Sequence, residues 1–172
     1  KVGDLIYDPN MYDSMNAGLN DLPFYTKWLR KNEGAKILEL CCGTGRLTLP
    51  LAKQGYNLTG VDIMPSMLEQ AKKNALRDVI FFGLVEGKQD CKQKPLILEV
   101  NALEKYEDYF NKFFADGGEF KNYISLRDER IFDKVSRDRK KARESVTNGL
   151  ILRVLRSEIK QKLIADGIIK QQ

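Results

Sequence analysis

Apolar residues gather at strand-like density in two short runs, Lys36 to Cys41 and Asn57 to Val61, and at helical spacing on either side of them. Before the first run, Leu22, Tyr25, Trp28 and Leu29 share one face of a short helix that Asp21 caps, Pro23 opens and Gly34 ends. Between the runs, Arg46 to Gln54 reads as a helix ending at Gly55, with Pro50 deep enough to bend it. Pro65 then starts a helix whose apolar face is Met67, Leu68, Ala71 and Ala75, with Lys72, Lys73 and Arg77 outward or near its C-terminus. Further on, Val79 to Phe82 and Pro95 to Val100 read as a third and a fourth strand. Leu103 to Ala115 reads as an aromatic-rich helix closed by Asp116-Gly117-Gly118, and Glu119 to Leu126 as a fifth strand. Strands alternating with helices predict an α/β fold with a mostly parallel sheet covered by helices on both faces.

The C-terminal part admits two readings. One makes a charged helix from Asp128 to Val146, a turn at Asn148-Gly149 and a helix from Leu150 to Asp166 closed by Gly167. The other makes Leu150 to Leu155 a strand and leaves Ser157 to Asp166 helical. Apolar runs this short do not discriminate.

Composition narrows the chemistry. A chain of 172 residues, 42% hydrophobic and 31% charged, can bury one core. It holds no apolar run long enough to span a bilayer and no signal-like start, so no membrane partner is expected. The first residue is Lys, which suggests a trimmed or tagged chain. Three cysteines, two of them adjacent, read as thiols in a reducing cytoplasm rather than a disulfide framework. Histidine is absent, which argues against a zinc enzyme or a Ser/His/Asp hydrolase, and no metal site is expected. The net charge of +5 is concentrated between Arg127 and Arg143, where acidic residues interleave with the basic ones. A solvated mixed-charge helix accounts for that pattern, and a phosphate-binding stripe is the alternative.

The most informative stretch is the glycine turn Cys41-Cys42-Gly43-Thr44-Gly45-Arg46 between the first two strands, followed by Asp62 at the end of the second. Glycines let a backbone pass close to a ligand, and a carboxylate at that strand end suits the two hydroxyls of a ribose. A P-loop needs Lys and Ser or Thr after its last glycine, but Arg46-Leu47 follow Gly45. A dinucleotide fingerprint needs three glycines, where Cys41, Gly43 and Thr48 stand. An S-adenosylmethionine turn, with an acidic residue at its start, is the third reading.

Ile37 to Ala52 with Gly55, and Leu58-Thr59-Gly60-Val61-Asp62-Ile63-Met64-Pro65-Ser66-Met67-Leu68, resemble the first and second motifs of small bacterial class I S-adenosylmethionine-dependent methyltransferases. The likeness is close from about Asp21 to Ala75 and thin beyond. It implies a Rossmann-like sandwich, here a compact or truncated variant, with S-adenosylmethionine as cofactor. It further implies that Glu39 meets the cofactor's ammonium, that Cys41, Cys42, Gly43 and Gly45 shape the backbone beneath it, and that Asp62 accepts both ribose hydroxyls. Ile63 and Met64 would line the adenine slot, and Glu86 or Asp90 would meet the adenine amino group. As alternatives, Glu39 is a strand-end surface carboxylate and Met64 ordinary packing. Cys41 stands where the family usually has glycine, so a positive φ there would strain it.

For the acceptor, Tyr7 and Tyr12 resemble aromatic positions of the family's N-terminal lid, where they contact ligand or anchor the lid to the sheet. Asn101 and Glu104 are the candidate substrate contacts, and no general base is identified. A small-molecule acceptor is the first expectation; an RNA or protein acceptor held by the basic tail, or a non-catalytic binder on the same scaffold, are the alternatives. The expected organisation is one domain: a lid and helix over 1–34, a cofactor-binding core over 35–126 and a divergent, partly helical tail over 127–172.

Overall fold

The computed structural model describes residues 8–29, 34–84, 92–125, 148–150 and 153–170. The expected charged helix from Asp128 to Val146 lies outside them. Helix α1 (Pro9–Asn16) begins with proline at its first position, and the Asp8 carboxylate caps it by accepting from the Met11 N–H at 2.8 Å. Helix α2 (Leu22–Leu29) forms as expected, but its apolar face is not buried, and Trp28 is 63% exposed. The helix is tied down through Thr26, whose hydroxyl lies 3.3 Å from Gln54 Oε1.

Strand β1 (Lys36–Leu40) pairs in parallel with β2 (Asn57–Asp62), Ile37 opposite Leu58 and Leu40 opposite Val61. Helix α3 (Thr48–Lys53) connects them. It starts two residues later than expected, which puts Pro50 in its first turn, where no N–H is needed. Helix α4 (Pro65–Arg77) follows β2 and buries Met67, Leu68, Ala71, Ala75 and Leu76, the expected face extended by one residue. This β-α-β-α unit is the Rossmann-like part of a compact α/β fold. Strand β4 (Asn148–Leu150) completes the sheet, antiparallel to β2, where a turn at Asn148-Gly149 was expected, followed from Leu150 by a helix or, in the alternative reading, a strand. On the sheet face opposite Glu39, Leu38 and Leu40 are 61% and 69% exposed.

The expected third strand is not one. Asp78–Phe82 continue α4 as a π-helical turn that ends at Gly83, whose φ is +70°. Leu76 and Ile80 are both fully buried at helical spacing, and Phe81 packs edge-on against Phe110, so core packing overrides the strand propensity of Val-Ile-Phe-Phe. The expected fourth strand, Pro95 to Val100, is instead an irregular segment outside any sheet, with a bend at Leu96 and a turn at Val100. The Leu96 and Ile97 N–H groups donate to the carbonyls of Val79 and Ile80. The 103–115 helix divides at Tyr106 into α5 (Ala102–Lys105) and α6 (Glu107–Phe113). Among the described residues of the expected fifth strand, Glu119–Tyr123 form a 3₁₀ helix and β3 (Ile124–Ser125) is extended, paired with β5 (Arg153–Val154), while Leu126 lies outside them. The chain then enters α7 (Arg156–Ala165), in line with the strand-then-helix reading of the tail. The main hydrophobic core lies in this second half, where Leu76, Ile80, Phe110, Phe113, Phe120, Ile159 and Leu163 pack together.

Candidate functional site

The turn from Cys41 to Leu47 leaves β1 through three left-handed residues, Cys41 (φ +56°), Gly43 (+57°) and Gly45 (+83°). Among the described residues Cys41 alone adopts a positive φ without being glycine, and for an L-residue that costs about 1 kcal/mol. The turn is pinned to β2 by its own backbone: the Cys42 N–H donates to the Val61 carbonyl at 3.0 Å. Gly60 permits this approach, since a Cβ there would stand 2.9 Å from Cys42 Sγ. Gly45 is equally constrained, because a Cβ would meet Leu49 at 3.0 Å.

Asp62 staples the site together. One carboxylate oxygen accepts from the Gly43 N–H and the other from the Met64 N–H, both at 2.8 Å, so the turn and the start of α4 converge on one side chain. Asp62 is 8% exposed. Each oxygen of an ionised carboxylate offers about two acceptor positions, so the pair retains capacity for two hydroxyl donors. On β1, half-buried Glu39 accepts from the Thr48 hydroxyl at 2.6 Å. Burial raises the Glu39 carboxyl above its ordinary value, opposed by the Thr48 bond and the Arg46 charge. Cys42 is buried, and burial with the Glu39 and Asp62 charges pushes its thiol up to about 12. Such a thiol stays protonated and unreactive, which fits packing rather than redox chemistry.

Helix α1 lies over the turn. The Tyr12 ring faces Gly43, where an added Cβ would meet it at 3.6 Å, and the Tyr12 hydroxyl lies against the Arg46 guanidinium. The neighbouring Asp13 makes a contact that sequence reasoning missed. It accepts from the Thr44 hydroxyl and from Asn74 Nδ2, which also donates to the Thr44 carbonyl. Thr44 is 1% exposed, so this clasp joining α1, turn and α4 is sealed at its centre. Arg46 forms a second tie, a bidentate pair with Asp21 at 2.6 and 2.9 Å that holds the Asp21 carboxyl below its ordinary value. Asp21, expected only as a helix cap, therefore links α2 to the turn. The Tyr-Asp pairing at 12–13 and the arginine after Gly45 were the visible signals.

Glu39, Cys42, Gly43, Gly45, Asp62, Met64 and Tyr12 are thus joined around one turn, with Cys41 and Ile63 exposed beside them. Asn101 and Glu104 stand apart. Asn101 precedes α5, and Glu104 lines a groove of about 460 Å³ with Asn10, Lys73, Arg77 and Phe110, to which the turn contributes nothing. Tyr7, Glu86 and Asp90 lie outside the described residues.

Residues 37–91, which run from β1 through the turn and β2 to beyond α4, match the family described as a methyltransferase domain. Over this stretch, about a third of the chain, the match supports a class I methyltransferase domain with partial coverage. Relatives of this domain include a 23S rRNA (uracil(1939)-C(5))-methyltransferase of Shewanella amazonensis, 32% identical over 104 residues, which are 58% of this chain and 24% of that protein. The enzyme of the same name from Shewanella sediminis is 36% identical over 84 residues, 45% of this chain and 19% of the relative. That of Klebsiella pneumoniae is 33% identical over 76 residues, 43% and 18%. The chain therefore spans about a quarter or less of the length of these relatives. No solved structure matches it. Among the described residues no helix is long and apolar enough to cross a membrane.

Proposed function

We propose that the domain binds S-adenosylmethionine on the glycine turn and directs its methyl group to an RNA acceptor. The observation that carries the cofactor reading is the Asp62 carboxylate, fixed at the end of β2 by two backbone N–H groups with acceptor capacity to spare. The residues fit the cofactor's parts. Asp62 would accept the ribose hydroxyls, half-buried Glu39 would gain a countercharge in the ammonium, and Cys41, Cys42, Gly43 and Gly45 would supply the backbone beneath. Ile63 and Met64 would flank the adenine and Glu86 meet its amino group, while Tyr7 and Tyr12 of the lid cover the cofactor. When bound, the cofactor supplies a methyl group already activated on a sulfonium. The protein's share of catalysis is then alignment and exclusion of water, which needs no histidine.

The RNA acceptor rests on the relatives, whose names specify 23S rRNA, and on the chain's net charge of +5. A small-molecule acceptor is the second reading; the groove at Glu104 has the size for a single small ligand but shares no residue with the turn, so it does not by itself support that reading. Calorimetric titration with S-adenosylmethionine tests the cofactor reading: saturable binding is expected, weakened about 100-fold or more by Asp62→Ala. Absence of binding to the unmutated protein would remove it. Transfer of labelled methyl to RNA, with RNA binding that falls steeply between about 50 and 200 mM salt, tests the acceptor. Label appearing only in small molecules would overturn the RNA reading and leave the cofactor reading intact.

A further inference from the structure

Helix α2 turns its largest apolar side chains outward. Leu22, Thr26 and Leu29 are half-buried at helical spacing, and the ties that fasten the helix are polar: Thr26 to Gln54 and, from the residue before the helix, Asp21 to Arg46. Phe24 and Trp28, one turn apart and so on one face, are 66% and 63% exposed. Tyr25 meets the Phe24 ring edge-on at a centroid separation of 5.3 Å. Of the four exposed aromatic rings among the described residues, α2 carries these three, and Phe82 is the fourth. A phenylalanine left in water forgoes about 1.5–3 kcal/mol of burial, so three such rings on one eight-residue helix mark a surface kept for a partner.

The charge around the rings has one sign. From Leu22 to Lys31 the sequence holds Lys27, Arg30 and Lys31 and no acidic residue. Lys27 is exposed and makes no ion pair among the described residues, while the carboxylate just before the helix, Asp21, is taken up by Arg46. The complementary partner is therefore a polyanion that also carries flat apolar groups. Single-stranded nucleic acid has both, since its bases stack on aromatic rings and its phosphates meet cations. An apolar protein segment would leave the cations without countercharge.

On the RNA reading of the acceptor, we infer that α2 is a stacking platform for single-stranded RNA. Bases lie against Phe24 and Trp28, and Lys27 meets the phosphates. The Asp21–Arg46 pair anchors this platform to the glycine turn. Trp28 is the only tryptophan of the chain, so its emission reports on this face alone. Short oligouridine is titrated into the full chain, with anisotropy of an end-labelled strand measuring binding and quenching of Trp28 by the unlabelled strand measuring stacking. The matched abasic strand keeps the phosphates and lacks the bases. Oligouridine is expected to quench Trp28 saturably and to bind about fivefold or more tighter than the abasic strand. Trp28→Leu, which keeps an apolar side chain but no ring, is expected to weaken oligouridine binding by about fivefold or more, and Trp28→Phe to restore most of it. Both variants should unfold in urea as the unmutated protein does, because the ring is exposed. Binding without a change in Trp28 emission, equal affinity for the abasic strand, or undiminished binding by Trp28→Leu would each overturn the platform and leave the RNA reading of the acceptor standing. Absence of binding by either strand would overturn the platform, and methyl transfer to RNA decides separately whether the acceptor reading falls with it. Phosphatidylglycerol vesicles that shift Trp28 emission to the blue where oligouridine leaves it unchanged would assign the face to a lipid surface instead.

Discussion

Around Phe113 and Phe120 the protein is held by contact. Phe81, Phe110, Phe113, Phe114 and Tyr123 stack or meet edge-on at centroid separations of 4.8 to 6.5 Å, and Leu76, Ile80, Ile159 and Leu163 close the cluster without exposed surface. Around the glycine turn the connected apolar cluster shrinks to Cys42 and Leu68, and closure comes from Asp62, Asp13, Glu39 and Arg46 bonding to backbone, hydroxyl, amide and carboxylate partners. The difference is one of division of labour. The helical half supplies the burial that makes a folded state, while the turn half holds a geometry whose polar groups stay available to a ligand. Directional bonds fix positions to tenths of an ångström, and apolar contacts supply most of the free energy.

Breaking each half separately is the sharpest test. Phe120→Ala, in the fully buried aromatic cluster, is expected to cost about 3–5 kcal/mol in urea denaturation, with S-adenosylmethionine affinity per folded molecule unchanged. A large loss of affinity in folded protein would show that the halves are not separable. Thr44→Val removes the hydroxyl donor at the centre of the clasp and is expected to cost about 1–2 kcal/mol. Hydrogen exchange should accelerate in α1 before it does in α7; uniform acceleration would contradict a local clasp.

Cys41→Gly relieves the left-handed strain, partly offset by the greater freedom of glycine in the unfolded chain. A net gain of about 0.5–1 kcal/mol is expected. A destabilised variant would mean that the Cys41 side chain makes contacts outweighing its backbone. The smallest effect concerns Glu39, whose carboxyl is raised by burial. Its contribution is fully present below the unfolded value near 4.5 and is lost as pH rises through the folded one. Glu39→Gln should therefore flatten the decline of stability across that window, and a curve unchanged in shape would rule out this origin.

The turn half was also the more legible in sequence. Its strands are short apolar runs bounded by glycines, Pro65 marks the start of α4, and the family motif carries Asp62 and the strained Cys41 position. The helical half was misread where local signals are ambiguous: Val79 to Phe82 suits a strand by composition, and its helical continuation is decided by Ile80 and Phe81 meeting residues far along the chain. Pro95 to Val100 failed similarly, because its hydrogen bonds go to the carbonyls of Val79 and Ile80 rather than to a neighbouring strand. The Asp13 clasp escaped notice for a different reason. Its partners are ordinary polar residues, with Asn74 lying 61 positions from Asp13, so periodicity does not relate them.

The adjacent cysteines of the turn present two thiols of opposite accessibility on neighbouring residues. Cys41 is exposed, and Cys42 is sealed under β2 with its thiol pushed up to about 12. An alkylating reagent at neutral pH should therefore distinguish them, modifying Cys41 and sparing Cys42. In a Cys91→Ser background a fluorophore at Cys41 would sit on the strained residue that opens the turn, an address from which the arrival and departure of a nucleoside could be timed directly.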